Sequence, residues 1–143
     1  MESWYLLLVD GKKADTTQAP LFGPNPIGSL IFTPEGRFSV QIMRTVNRPP
    51  FASNNRDSGT AEENRATAQG TLSFFGTYAA DDAGKSFTLS VEGSSFPNWE
   101  GKPLKFQISA ITDEVLTFSL PGSSSTVPGS GYVSIENVWK RVK

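Results

Sequence analysis

Among the side chains in this sequence that can move a proton or hold a charge, the strongest candidates for chemistry sit at alternating positions. Glu92 lies in Ser86–Ser94, where Phe87, Leu89 and Val91 alternate with Thr88, Ser90 and Glu92. A period of two puts the two sets on opposite faces of a strand. Two readings of the polar face stand. Turned inward, Glu92 loses water, its pKa rises, and it becomes a general acid or base, with Ser90 beside it to bind substrate. Turned outward, the three residues form the solvated face common in antiparallel sheets. Arg37 and Gln41 share one face of Arg37–Arg44, opposite Phe38, Val40 and Ile42. Across neighbouring strands they can meet Glu92, either to orient a carbonyl or carboxylate or as a surface ion pair of little energetic weight. Tyr78 either donates a proton from an interior position or packs with its hydroxyl satisfied. Arg44 and Arg48 flank a long loop, where they steer an anionic ligand end or stay solvated. Phe96, Asn98 and Trp99 combine aromatic surface with an amide, which suits a pocket entrance: Asn98 to fix a polar atom, Trp99 as a plug.

Other chemistry is excluded by composition. The 143 residues contain no His and no Cys. A Ser-His-Asp triad, a thiolate nucleophile and a His- or Cys-held metal are therefore unavailable, and proton transfer falls to Asp, Glu, Lys, Tyr or water. Asp81-Asp82-Ala83-Gly84 does not match a calcium loop, and no phosphate-binding glycine motif occurs. Metal and cofactor are both expected to be absent. The net charge of −1 leaves no basic excess for nucleic acid or an anionic membrane. The apolar stretch Tyr5–Val9 lacks a basic flank and is too short to span a bilayer, so the expected location is the cytoplasm.

The elements that must position these groups are mostly strands. With 13 Gly and 10 Pro, turns recur at short intervals, the pattern of an all-β domain. Strands are expected at Ser3–Val9, Ile27–Thr33, Arg37–Arg44, Phe75–Ala80, Ser86–Ser94, Leu104–Ile111, Val115–Leu120 and Tyr132–Arg141. Thr60-Ala61-Glu62-Glu63 is a capping box that starts a helix running to about Ser73, with Ala61, Ala68, Leu72 and Phe75 on one stripe. Thr45–Gly59 is a long polar loop, a candidate lid, and Pro121–Gly131 is a Gly/Ser/Pro loop. Eight antiparallel strands can close into a barrel with room for side chains or one small guest. No repeat or linker divides the chain, so residues 1–143 read as a single domain.

Several segments, in order, carry a resemblance. Gly28–Arg37, Ser39–Arg44, Arg48–Ser53, Gly59–Glu63, Phe74–Tyr78, Val91–Trp99 and Val138–Val142 resemble the bacterial and fungal lipocalin-like domain family. The resemblance implies a short calycin-type β-barrel: all-β, eight antiparallel strands and one short helix. It also implies that Trp4 packs beneath Arg141 to lock the closed end. Two departures stand out. The Gly-x-Trp opening of lipocalins proper is here Glu2-Ser3-Trp4, and the His often found just before Val-Glu-Gly is replaced at Leu89 and Ser90.

The family setting, often biosynthetic, implies a cofactor-free isomerase or cyclase acting on a small apolar secondary-metabolite intermediate. Glu92, Arg37 and Tyr78 would be catalytic, and Gln41, Arg44, Ser90, Phe96, Asn98 and Trp99 would bind substrate. The alternatives are a non-catalytic carrier of a small hydrophobic ligand and a solid barrel used for protein contact. The oligomeric state, monomer or homodimer, is left open.

Overall fold

The computed structural model describes residues 2–13, 15, 17–81, 83–121 and 132–143. Its strands are β1 (Glu2–Lys13), β2 (Gln18–Pro20), β3 (Ile27–Phe32), β4 (Arg37–Met43), β5 (Thr71–Ala80), β6 (Ser86–Ser94), β7 (Pro103–Ile111), β8 (Val115–Pro121) and β9 (Tyr132–Arg141). One helix, α1 (Ala61–Gln69), enters before β5. Neighbours pair antiparallel in the order β1-β3-β4-β5-β6-β7-β8-β9, and β9 pairs back onto β1. The result is a closed barrel of eight strands and an all-β fold. The three residues of β2 are an addition the sequence did not announce, laid against the far end of β1 at Asp10–Lys12. Of the expected Gly/Ser/Pro loop, residues 122–131 lie outside the described residues, as does Asp82 of the expected turn.

Closure follows from the alternation. In β4 the buried residues are Phe38, Val40 and Ile42, and in β6 they include Phe87, Leu89 and Val91. In β7 and β8 they are Leu104, Phe106, Leu116, Phe118 and Leu120. One apolar face per strand is what a barrel interior asks for, and joining β1 to β9 leaves neither as a free edge. Burial of such side chains stabilises by about 1.5–3 kcal/mol each.

The β5–β6 ladder carries a bulge on β6 at Glu92, which is left unpaired between Gly93, opposite Phe75, and Val91, opposite Gly76. A Cβ at Gly76 would stand 1.9 Å from the Ser90 carbonyl oxygen, so only glycine fits there.

The helix begins as expected. The Glu63 backbone N–H donates to Thr60 Oγ1 at 3.1 Å, and the Thr60 N–H donates to Glu63 Oε1 at 2.9 Å. It stops earlier than expected, at Gln69. The Gly70 N–H closes the last turn onto Ala66 O at 2.9 Å, and Gly70 O accepts from the Arg44 N–H at 2.8 Å. Gly70 lies against Arg44 and Arg48, where a side chain would collide. Leu72 and Phe75, expected on the helix stripe, belong to β5; Leu72 packs against the core and Phe75 faces out.

Candidate functional site

The two ends of the barrel differ. At the end where β1 begins, the Arg141 guanidinium lies 4.3 Å from the centroid of the Trp4 ring. Arg141 also donates to Glu2 Oε1 at 2.7 Å and to Asp113 O at 2.9 Å. Phe32 packs edge-on against Tyr78 and Phe87, with centroids 4.8 and 6.0 Å apart. This end is sealed, as the resemblance implied.

Toward the other end the interior is hollow. A cavity of about 510 Å³ is framed by the inner faces of the strands, within the range of about 300–1,000 Å³ usual for small-molecule sites. Phe87, Phe106 and Phe118 form one aromatic cluster in its wall, with centroids 5.0–5.3 Å apart. Phe74, Trp99 and Phe96 form another, Trp99 lying 5.2 and 5.7 Å from the two Phe rings. The mouth is built from Leu21 and Phe22 of the loop after β2, from Ala68 and Gln69 at the end of α1, and from Ser95. Those elements converge there because the β2–β3, β4–β5 and β6–β7 connections lie at this end, whereas the β3–β4 and β7–β8 turns at the sealed end are short.

The polar strand face of β6 turns outward. Glu92, Ser90, Gln41 and Arg37 are all exposed. Arg37 and Glu92 do meet, in a paired salt bridge with both contacts at 3.0 Å, but on the outer wall, with about half of each side chain in solvent. Of the two readings of this face, the solvated one holds, and Glu92 and Arg37 do not line the interior as an acid–base pair would. The Arg37 hydrogen bonds hold the Glu92 carboxyl below its usual pKa, the opposite of what burial would have done, and the Arg37 guanidinium is correspondingly raised. Each strand can bury only one face, and the apolar one wins.

Tyr78 is on the inner face, yet it lies beneath the cavity. Its hydroxyl donates to the Thr33 carbonyl at 2.9 Å, which leaves it packed and satisfied. Arg44 donates to the Leu21 carbonyl at 3.1 Å. It stands in a separate polar hollow of about 230 Å³ with Asn47, Glu62, Arg65, Ala66 and Gln69. Phe96 and Trp99 line the cavity as expected, Trp99 as a buried wall residue; Asn98, beside them in the turn Pro97–Trp99, is exposed. The Thr45–Gly59 loop contributes no lining residue, and the mouth is bordered by α1 instead.

Most lining residues lay outside the site that the sequence suggested, and two of them stand out. Asn137 and Trp139 on β9 both face the cavity. The signal was present: Ile135, Asn137 and Trp139 share one face, and a lone amide in an apolar series marks an interior polar group. Asn137 is 7% exposed and Trp139 1%. No Asp, Glu, Lys, Arg or Tyr lines the cavity among the described residues, and none of their acidic side chains cluster in a way that could hold a metal ion. Nor is any helix among them long and apolar enough to cross a membrane.

A closed antiparallel barrel, sealed at one end and hollow at the other, belongs to the class of small β-barrels with space for one guest molecule. The family model described as a lipocalin-like domain matches residues 3–142, and the chain belongs to that family. No curated protein matches it. Among solved structures it is similar to a redesigned beta barrel, at 11% identity and a TM-score of 0.45, over 99% of this chain and 90% of that one.

Proposed function

We propose that this protein binds one small, largely apolar molecule inside the barrel, as a carrier or protective host. The observation that carries this reading is the cavity itself: about 510 Å³, walled by Leu, Val, Ile, Phe and Trp side chains, and reached from one end. Burying an apolar guest there removes about 25 cal/mol of unfavourable hydration per Å² from both partners.

The isomerase or cyclase reading keeps only one form. With Glu92 and Arg37 outside and the Tyr78 hydroxyl engaged, an acid–base step has no donor among the described lining residues. A reaction that needs only a folded substrate and a dry cavity is still compatible with the walls. The carrier reading asks for less and is preferred.

Fluorescence titration with the neutral dye N-phenyl-1-naphthylamine tests the proposal. Saturable binding of one dye per chain is expected. Ala68→Trp at the exposed mouth should weaken it about tenfold or more without lowering the melting temperature. A dye signal that never saturates, or one indifferent to the blocked mouth, overturns the reading.

A further inference from the structure

Asn137 is the anomaly of the interior. It sits at mid-depth on β9, opposite Val9 on one side and Phe118 on the other. Its neighbours on the same face, Ile135 and Trp139, are apolar and buried. The side chain faces the cavity and makes no hydrogen bond to another described residue. The amide opens onto the cavity and gains no hydrogen bond from a described residue, where a leucine of similar volume would add apolar contact instead. Two residues toward the sealed end, the Trp139 indole N–H is also buried without an acceptor. The Trp139 nitrogen is enclosed, so the N–H donor that faces a guest is that of Asn137, and no cationic side chain lines the cavity among the described residues.

The geometry points to Asn137 as the anchor that selects the guest: an uncharged, otherwise apolar molecule carrying a carbonyl oxygen, seated at mid-barrel with the Asn137 amide N–H donating to it. This inference rests on the binding reading above. A single amide N–H in a low-dielectric wall favours an acceptor on the guest, and the shortage of fixed positive charge disfavours a carboxylate, which would lose its hydration without an ion pair. The remainder of the guest contacts Leu, Val and Phe surfaces that impose shape and little else. Asn98, the amide expected to fix a polar atom, is exposed, so this task passes to an amide inside the barrel.

Equilibrium dialysis of fluorene, 9-fluorenone and fluorene-9-carboxylate against wild type and Asn137→Leu separates the terms. The first two share a skeleton and differ by the carbonyl, so their affinity ratio within one protein isolates the contribution of that oxygen. The preference for 9-fluorenone over fluorene should fall about tenfold from wild type to Asn137→Leu, with fluorene binding retained. The carboxylate should bind wild type at least tenfold more weakly than the ketone. Independently of any variant, the infrared C=O band of 9-fluorenone bound to wild type should lie below its position in hexane, the mark of a donated hydrogen bond. An unchanged ratio, a hexane-like band or a tightly held carboxylate each overturns the anchor while fluorene binding leaves the host reading intact. Failure of fluorene, 9-fluorenone and the naphthylamine dye to bind overturns both together.

Discussion

At the sealed end of the barrel, rings and a guanidinium fill the interior: Trp4 under Arg141 and Phe32 against Tyr78 and Phe87. At the hollow end the same strands present Val9, Ile42, Leu72 and Leu120. Both ends obey one alternation of buried and exposed positions, so pattern does not distinguish them; what closes over each end does. At the sealed end Phe32 reaches Tyr78 and Phe87, and Arg141 caps Trp4. At the hollow end the rings of Phe106, Phe118 and Trp99 pack along the wall of a circumference set by eight strands, nothing among the described residues caps them, and space remains. A barrel can thus divide stability and binding between its ends.

The largest expected effect breaks the sealed end. Trp4→Ala should lower unfolding free energy by about 3–5 kcal/mol in urea titration, because the ring is buried and capped. The parallel truncation at the hollow end, Leu72→Ala, should cost less than half as much, since Leu72 is only partly buried and already borders a void. Equal losses would show that the two ends are not built differently.

A smaller effect comes from acid. Glu63, Asp81 and Glu92 all have depressed pKa values, caused mainly by the backbone N–H of Ala52, the Ser86 hydroxyl and the Arg37 guanidinium respectively. A carboxyl whose folded pKa lies below its unfolded value stabilises above the unfolded value and loses that contribution as pH falls through the folded one. The urea midpoint should therefore fall below about pH 4.5. With no His or Cys in the chain, no side chain has an ordinary pKa between about 6 and 8, and both the midpoint and dye affinity should be flat there. A step in either between pH 6 and 8 would contradict this.

The smallest effect separates the inner wall from the outer. Glu92→Gln breaks an exposed pair, and exposed pairs contribute little. Melting temperature and dye affinity should both stay close to wild type. A clear loss of binding would mean that the outer wall of β4 and β6 communicates with the cavity and would reopen a role for the Arg37–Glu92 pair.

What the sequence by itself determined is the local grammar. Alternation in Arg37–Met43 and Ser86–Ser94, the Thr60–Glu63 capping box and the turn residues between strands placed nearly every element, because each is specified by neighbours within a few positions. The pairing of Arg37 with Glu92 was also legible, since both lie on polar faces of strands that β5 alone separates. What only the tertiary structure decided is which groups share the interior and how much room they leave. Burial is a property of the closed sheet: it sent Glu92 to the solvent, engaged the Tyr78 hydroxyl below the cavity, turned Leu72 from a helix stripe into a cavity wall, and left Asn137 facing the cavity without a protein partner. A cavity is the difference between a circumference fixed by strand number and the summed reach of side chains from all round it, and no stretch of chain contains both quantities.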